Sequence, residues 1–115
     1  MKSEAFDPGD LETLKTLANL YFKVGLYDSS VRTLRLMQVF CPRDPWTMGM
    51  LARCFDRQGR YDRVVELTDD LSFCEQVPSI GRALAFLRAR CLLKIGREEE
   101  SRSLIRELLS LKDPS

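Results

Sequence analysis

Four cysteines are the residues here best equipped for chemistry, because thiolates ligate metals, attack electrophiles and pair as disulfides. They are Cys41, Cys54, Cys74 and Cys91, widely spread and with no C-x-x-C pair among them. That spacing favours reduced thiols serving as small apolar core residues. A four-cysteine zinc site or two disulfides are the alternatives. Histidine is absent, so the commonest general base and the commonest metal ligand are both missing. There is no Gly-rich phosphate loop and no G-x-S-x-G turn. Asp69-Asp70 and Glu98-Glu99-Glu100 carry acids. Both read as solvated helix surface, and the glutamates suit the positive end of a helix. No catalytic residue, metal or cofactor is expected, and the chain reads as a non-enzyme.

Recognition is the other chemistry within reach. Basic and aromatic side chains recur at a regular spacing, and the spacing is set by three glycines. The segments Lys23-Val24-Gly25-Leu26-Tyr27-Asp28, Arg57-Gln58-Gly59-Arg60-Tyr61-Asp62 and Lys94-Ile95-Gly96-Arg97-Glu98-Glu99 share one pattern, basic-x-Gly-x-(Tyr or Glu)-acid. The glycines lie 34 and then 37 residues apart. A period near 34 is the length of a helix–turn–helix repeat.

Columns around the glycines extend the match. Seven residues before each stands alanine, Ala18, Ala52 and Ala89, where two helices must approach closely. Four before stand Tyr21, Phe55 and Leu92. Five after come Ser30, Val64 and Ser101, where the second helix must also stay small. Nine and twelve after come Leu34 and Met37, Thr68 and Leu71, and Ile105 and Leu108, on one helical stripe.

These columns require an all-α fold of three helix–turn–helix pairs, stacked as a short right-handed superhelix in a single domain over 1–115. The repeats cover about 11–44, 45–78 and 79–113. Asp10 is expected to cap a first helix running to about residue 24, with Gly25 supplying a left-handed turn. Asp28 opens its partner near the positive helix end. Asp44 caps and Pro45 begins the third helix. The second pair is expected over about 45–58 and 62–74, and the third over about 79–95 and 97–111.

In such a stack the first helices line a concave side. Six residues before each glycine stand Asn19, Arg53 and Arg90; two before stand Lys23, Arg57 and Lys94. The two rows form a basic stripe along the groove, with Asp56 the one acid among them. Phe22, Leu93, Trp46 and Phe86 lie beside it as partner-binding candidates. Trp46 is either a core residue or a binding anchor, since Trp and Arg dominate interface energetics. The reading expects that Arg53→Glu with Arg90→Glu abolishes partner binding without unfolding the chain. Net charge is +1, which gives no whole-molecule field toward nucleic acid. The last helix carries Leu104, Ile105, Leu108, Leu109 and Leu111, more apolar residues than one buried stripe needs, so an uncovered apolar end face is expected there, with Leu104, Leu108 and Leu111 as its interaction residues. A homo-oligomer is the expected result when no partner covers it.

Leu17-Ala18, Tyr21, Gly25, Tyr27 and Pro42 in the first unit resemble a tetratricopeptide repeat. Leu51-Ala52, Phe55, Gly59 and Tyr61 continue the likeness, which spans about 11–111. The third unit departs, with Arg88 for the leucine before Ala89 and Glu98 for the tyrosine. Some members of that family grip a C-terminal carboxylate with Lys, Asn and Arg. Lys15 and Asn19 match the first part, but Met50, Ala83 and Leu87 stand where the clamp needs polar groups. That function is rejected. Length and architecture resemble the small tetratricopeptide chaperones of bacterial type III secretion, of the YscY and YscG kind or the SycD class. The resemblance implies a cytoplasmic chaperone holding a secreted, needle or export-apparatus subunit, in helical or extended form, in its groove. An adaptor or scaffold subunit of another multiprotein assembly is the competing reading. The start, Met1-Lys2-Ser3-Glu4-Ala5-Phe6-Asp7, lacks the apolar stretch of a secretory signal, and no apolar run approaches a membrane span.

Overall fold

Asp7 stands just before Pro8, and the pair starts the first helix in the manner such dipeptides favour. The Asp7 carboxylate accepts from the Asp10 backbone N–H at 3.0 Å, while the Asp7 N–H donates to the Asp10 carboxylate at 3.1 Å. This is a reciprocal capping box with proline at the helix start. The cap is therefore Asp7, not Asp10, which sits one turn inside and closes the box. The computed structural model describes residues 7–112, with the backbone alone at Phe73, Leu111 and Lys112.

Six α-helices follow in order among these residues: α1 Pro8–Lys23, α2 Tyr27–Phe40, α3 Pro45–Arg57, α4 Tyr61–Leu67, α5 Pro78–Lys94 and α6 Glu98–Lys112. Each helix packs on the next, and α3 also touches α5 directly. The result is three helix–turn–helix pairs in succession. A radius of gyration of 15.5 Å exceeds the roughly 13 Å of a globular chain this long, as a stack of repeats should.

The three repeat glycines all adopt positive φ, +84° at Gly25, +75° at Gly59 and +87° at Gly96. In each turn the residue after the glycine returns its N–H into the finished helix: Leu26 to Tyr21, Arg60 to Phe55 and Arg97 to Leu92. Orphan carbonyls at the helix end are satisfied that way. Asp44 accepts from the Thr47 N–H at 3.0 Å and caps α3, ahead of Pro45.

The small-residue columns meet inside the pairs. Ala18, Ala52 and Ala89 are fully buried. The Ser30 hydroxyl donates to the Ala18 carbonyl at 2.8 Å, and Ser101 donates to the Ala89 carbonyl at 2.7 Å. Val64 occupies the same position in the middle pair, fully buried and without a hydroxyl. Around these contacts the core gathers Leu34, Met37, Leu51, Phe55 and Leu92.

The middle pair breaks the pattern. A helix was expected over about 62–74, but α4 stops at Leu67 and only a single 3₁₀ turn, Ser72–Cys74, follows. Thr68 turns its hydroxyl back onto the Val64 carbonyl at 2.7 Å, a local bond that competes with helix propagation. Asp70 then accepts from the Ser72 backbone N–H at 3.0 Å in an Asx-type turn. Those hydrogen bonds from Ser72 hold the Asp70 carboxyl below its ordinary pKa. Two acids at a helix C-terminus also oppose the helix dipole. Asp69-Asp70 is exposed, as expected, but in a loop.

Candidate functional site

A groove of about 570 Å³ opens between α3 and α5. Met50 and Leu84 form its floor, joined by Ile80 and Leu87, while Trp46 and Phe86 stand at its sides. Phe86 is 59% exposed, a large ring left in water beside an apolar floor. Arg53, Arg57 and Arg90 edge the groove, with Asp56 between them. Its position follows from the repeat: both lining helices are the first of their pairs, and direct contact of α3 with α5 brings their inner faces together.

The stripe of cations is used largely for holding one pair to the next. Arg53 and Arg57 lie over the Phe22 ring at 4.6 and 5.1 Å, reaching from the second pair to the first. Arg57 also donates to the Tyr27 hydroxyl at 3.3 Å. Lys94 makes the equivalent step from the third pair to the second, 5.6 Å over the Tyr61 ring, while Lys15 of the first pair sits 5.5 Å over Trp46 of the second. Arg90 donates to Asp56 at 2.6 Å, and the side chain of Asp56 is only 12% exposed. Exposed cation–π contacts contribute about 0.5–1 kcal/mol each, so the series adds modestly to the hold of one pair on the next.

Five of the sequence candidates, Trp46, Arg53, Arg57, Phe86 and Arg90, meet at the groove. The others do not. Phe22 is buried beneath the two arginines and in edge contact with Tyr27, so it serves as a support. Asn19 is half-buried and Lys23 exposed on α1, outside the groove lining. Leu93 and Lys94 are exposed at the far end of α5, also outside it. The floor residues Met50, Ile80, Leu84 and Leu87 were not singled out as binding residues. Met50, Ala83 and Leu87 gave the available signal: apolar side chains recur where a carboxylate clamp needs polar ones.

The end-face candidates on α6 are mostly turned inward. Leu104 packs against the core and Leu108 is half-buried. The side chain of Leu111 lies outside the described residues. Ser103, Arg106, Glu107 and Ser110 are exposed and border a shallow depression on that helix.

Cys54, Cys74 and Cys91 are buried and Cys41 half-buried, all as free thiols. Burial raises the pKa of Cys54 and of Cys74. Burial and the Asp56 carboxylate together push Cys91 up to about 11. The Cys91 thiol donates to Asp56 at 3.7 Å, which fixes the proton on sulfur. No group of three or more metal-ligating side chains occurs among the described residues. No helix there is long and apolar enough to cross a membrane.

No protein-family model matches the sequence. No curated protein matches it at a significant level. Among solved structures, the chain is similar to the type III secretion translocator chaperone SycD of Yersinia enterocolitica, with a TM-score of 0.73 and 24% sequence identity. The superposition covers 90% of this chain and 72% of that one. At that identity the likeness is one of fold.

Proposed function

We propose that this protein is a non-catalytic, cytoplasmic chaperone of a type III secretion system. It holds a secreted or export-apparatus subunit through the groove between α3 and α5. The observation that carries the reading is the groove itself, with an apolar floor, the 59% exposed Phe86 at its side and arginines along its edge. A surface of that kind fits an apolar peptide segment flanked by acids. Apolar contact supplies affinity, and the guanidinium groups fix orientation through charge-assisted hydrogen bonds. The fold shared with a translocator chaperone supports the same reading.

Trp46 is the only tryptophan in the chain and borders the groove, so its fluorescence reports on occupancy. Titration with peptides from the secreted and export-apparatus subunits encoded beside the gene should shift its emission at a defined stoichiometry. Arg53→Glu combined with Phe86→Ala should abolish the shift. A full-length subunit that binds with Trp46 emission unchanged would place the partner elsewhere and overturn the groove reading. Release of the subunit on addition of the export machinery separates a chaperone from a permanent scaffold.

A further inference from the structure

Phe55 of α3 is buried, and α2 and α4 each pack on α3. Three guanidinium groups stand over its ring: Arg35 of α2 at 5.7 Å, Arg60 from the turn before α4 at 5.3 Å, and Arg63 of α4 at 5.5 Å. A ring has two faces, so at least two of these cations share one. Trp46 and Tyr61 are each served by a single cation. Elsewhere acids neutralise the arginines: Arg90 pairs with Asp56, Arg88 with Asp69, and Arg102 with Glu98 and Glu99. At Phe55 none does. Among the described residues Arg35 donates to the Gln38 side-chain oxygen at 2.9 Å, and the side chains of Arg60 and Arg63 make no hydrogen bond or ion pair. Arg35 and Arg63 border a depression of about 210 Å³ together with Phe55, Leu67 and the exposed Glu66. Three cations against the one acid Glu66 leave two positive charges uncompensated.

We infer that this depression binds a phosphate group. Charge complementarity selects that ligand. A phosphate carries about −1.5 to −2 at neutral pH, which matches the surplus, whereas a single carboxylate would cancel only half of it. A guanidinium lying against a ring keeps its N–H edge for the planar fork that takes phosphate oxygens in pairs. The volume is smaller than the roughly 300–1,000 Å³ of a pocket for a drug-sized ligand. Phe55 is itself only 2% exposed, so a base or other aromatic group has no ring to stack on. The ligand is therefore inorganic phosphate or the phosphate end of a small monoester. This site is separate from the groove: Arg35 and Arg63 come from second helices, α2 and α4, while the groove is lined by the first helices α3 and α5.

Calorimetric titration of the full chain with inorganic phosphate, in chloride buffer of matched ionic strength, tests the site. One phosphate per chain should bind with a Kd of about 1 mM or tighter. Arg63→Gln should raise that Kd at least about tenfold, since charge-assisted hydrogen bonds are lost, with helix content unchanged by circular dichroism. Glu66→Gln, at an exposed position, should lower it about threefold, because the opposing charge is removed. Arg102→Gln on α6 should leave it unchanged. Glycerol 3-phosphate separates the two sources of the group. An affinity equal to or below that of phosphate assigns the free ion, and a higher one assigns the monoester. No saturable binding up to about 20 mM phosphate, or a Kd indifferent to both Arg63→Gln and Glu66→Gln, would overturn the inference. Tighter binding of succinate or of an acidic peptide than of phosphate would overturn it in favour of a carboxylate-bearing partner.

Discussion

The Arg88 guanidinium donates to the Val65 backbone carbonyl at 2.6 Å and to the Thr68 hydroxyl at 3.2 Å. It also pairs with Asp69 at 3.4 Å, so one α5 side chain closes the C-terminal end of α4. A carbonyl orphaned where α4 stops early is satisfied from the next pair. Arg88→Leu would restore the residue found at this position in the first two repeats, yet leave that carbonyl with only the long 3.4 Å contact from the Thr68 hydroxyl. We expect a loss of about 2 kcal/mol, the usual size for a charge-assisted bond, and a Tm lower by roughly 5–10 °C. Thermal unfolding followed by circular dichroism measures it. A variant as stable as the wild type would show the bond to be idle.

Gly59 isolates the cost of backbone conformation. A Cβ placed there meets nothing within 4 Å, while φ is +75°. Gly59→Ala should therefore cost about 1–2 kcal/mol from the left-handed backbone alone, and Gly59→Asn clearly less. Urea denaturation of the two variants gives the comparison. Equal losses would point to something other than φ.

Cysteine accessibility should be uneven. In the folded protein an alkylating reagent at neutral pH should modify Cys41 first and leave the three buried thiols protected, all four reacting after denaturation. Mass spectrometry counts the adducts. Stoichiometric zinc in the purified protein, or unfolding on chelation, would contradict the core role of these thiols.

Cys91 carries a pH signature. Its pKa is raised in the folded state, to about 11, above the ordinary thiol value near 9. The stability it contributes is complete below pH 9 and is lost as pH rises from there through about 11. Cys91→Ala should flatten the alkaline fall of stability relative to wild type over that window. Parallel curves for the two proteins would reject the assignment.

Arg53 and Arg90 should not behave alike. Arg53→Glu loses one stacking contact on Phe22 at an exposed position and should weaken groove binding with a stability change of about 1 kcal/mol or less. Arg90→Glu sets a new carboxylate against the nearly buried Asp56 and should cost about twice that or more. The expectation that both reversals leave the fold untouched is therefore narrowed to Arg53. Melting curves of the single variants distinguish them.

The parts of this fold that were legible in the sequence are those written in backbone chemistry. Gly25, Gly59 and Gly96 marked the turns, the alanine column marked close helix contact, and Asp44-Pro45 marked a helix start. Asp7-Pro8 carries the same start signal as Asp44-Pro45, and giving the cap to Asp10 overlooked it. The early end of α4 was harder to read. Thr68 and the two aspartates are each tolerable in a helix, and only their combination with Arg88 from another pair stops it. At the groove, the rows of cations were visible but their destinations were not. Whether an arginine faces solvent or lies on a phenylalanine of the preceding repeat depends on three-dimensional stacking, which a one-dimensional column does not record.

The brevity of α4 bears on how the array holds together over time. It has seven residues where α2 has fourteen and α6 fifteen. In a linear array each unit is stabilised only by its immediate neighbours, and cooperativity runs as far as the weakest junction allows. Here α5 packs on α3 and on the 3₁₀ turn as well as on the short α4, and Arg88 and Arg90 tie it to Val65, Thr68 and Asp56. The junction of the second and third pairs is thereby spread over three elements, and amide exchange in α5 should be no faster than in α3. A groove with one side on α3 and the other on α5 lies along that junction, so a bound segment adds its contacts to those that already hold the two pairs together.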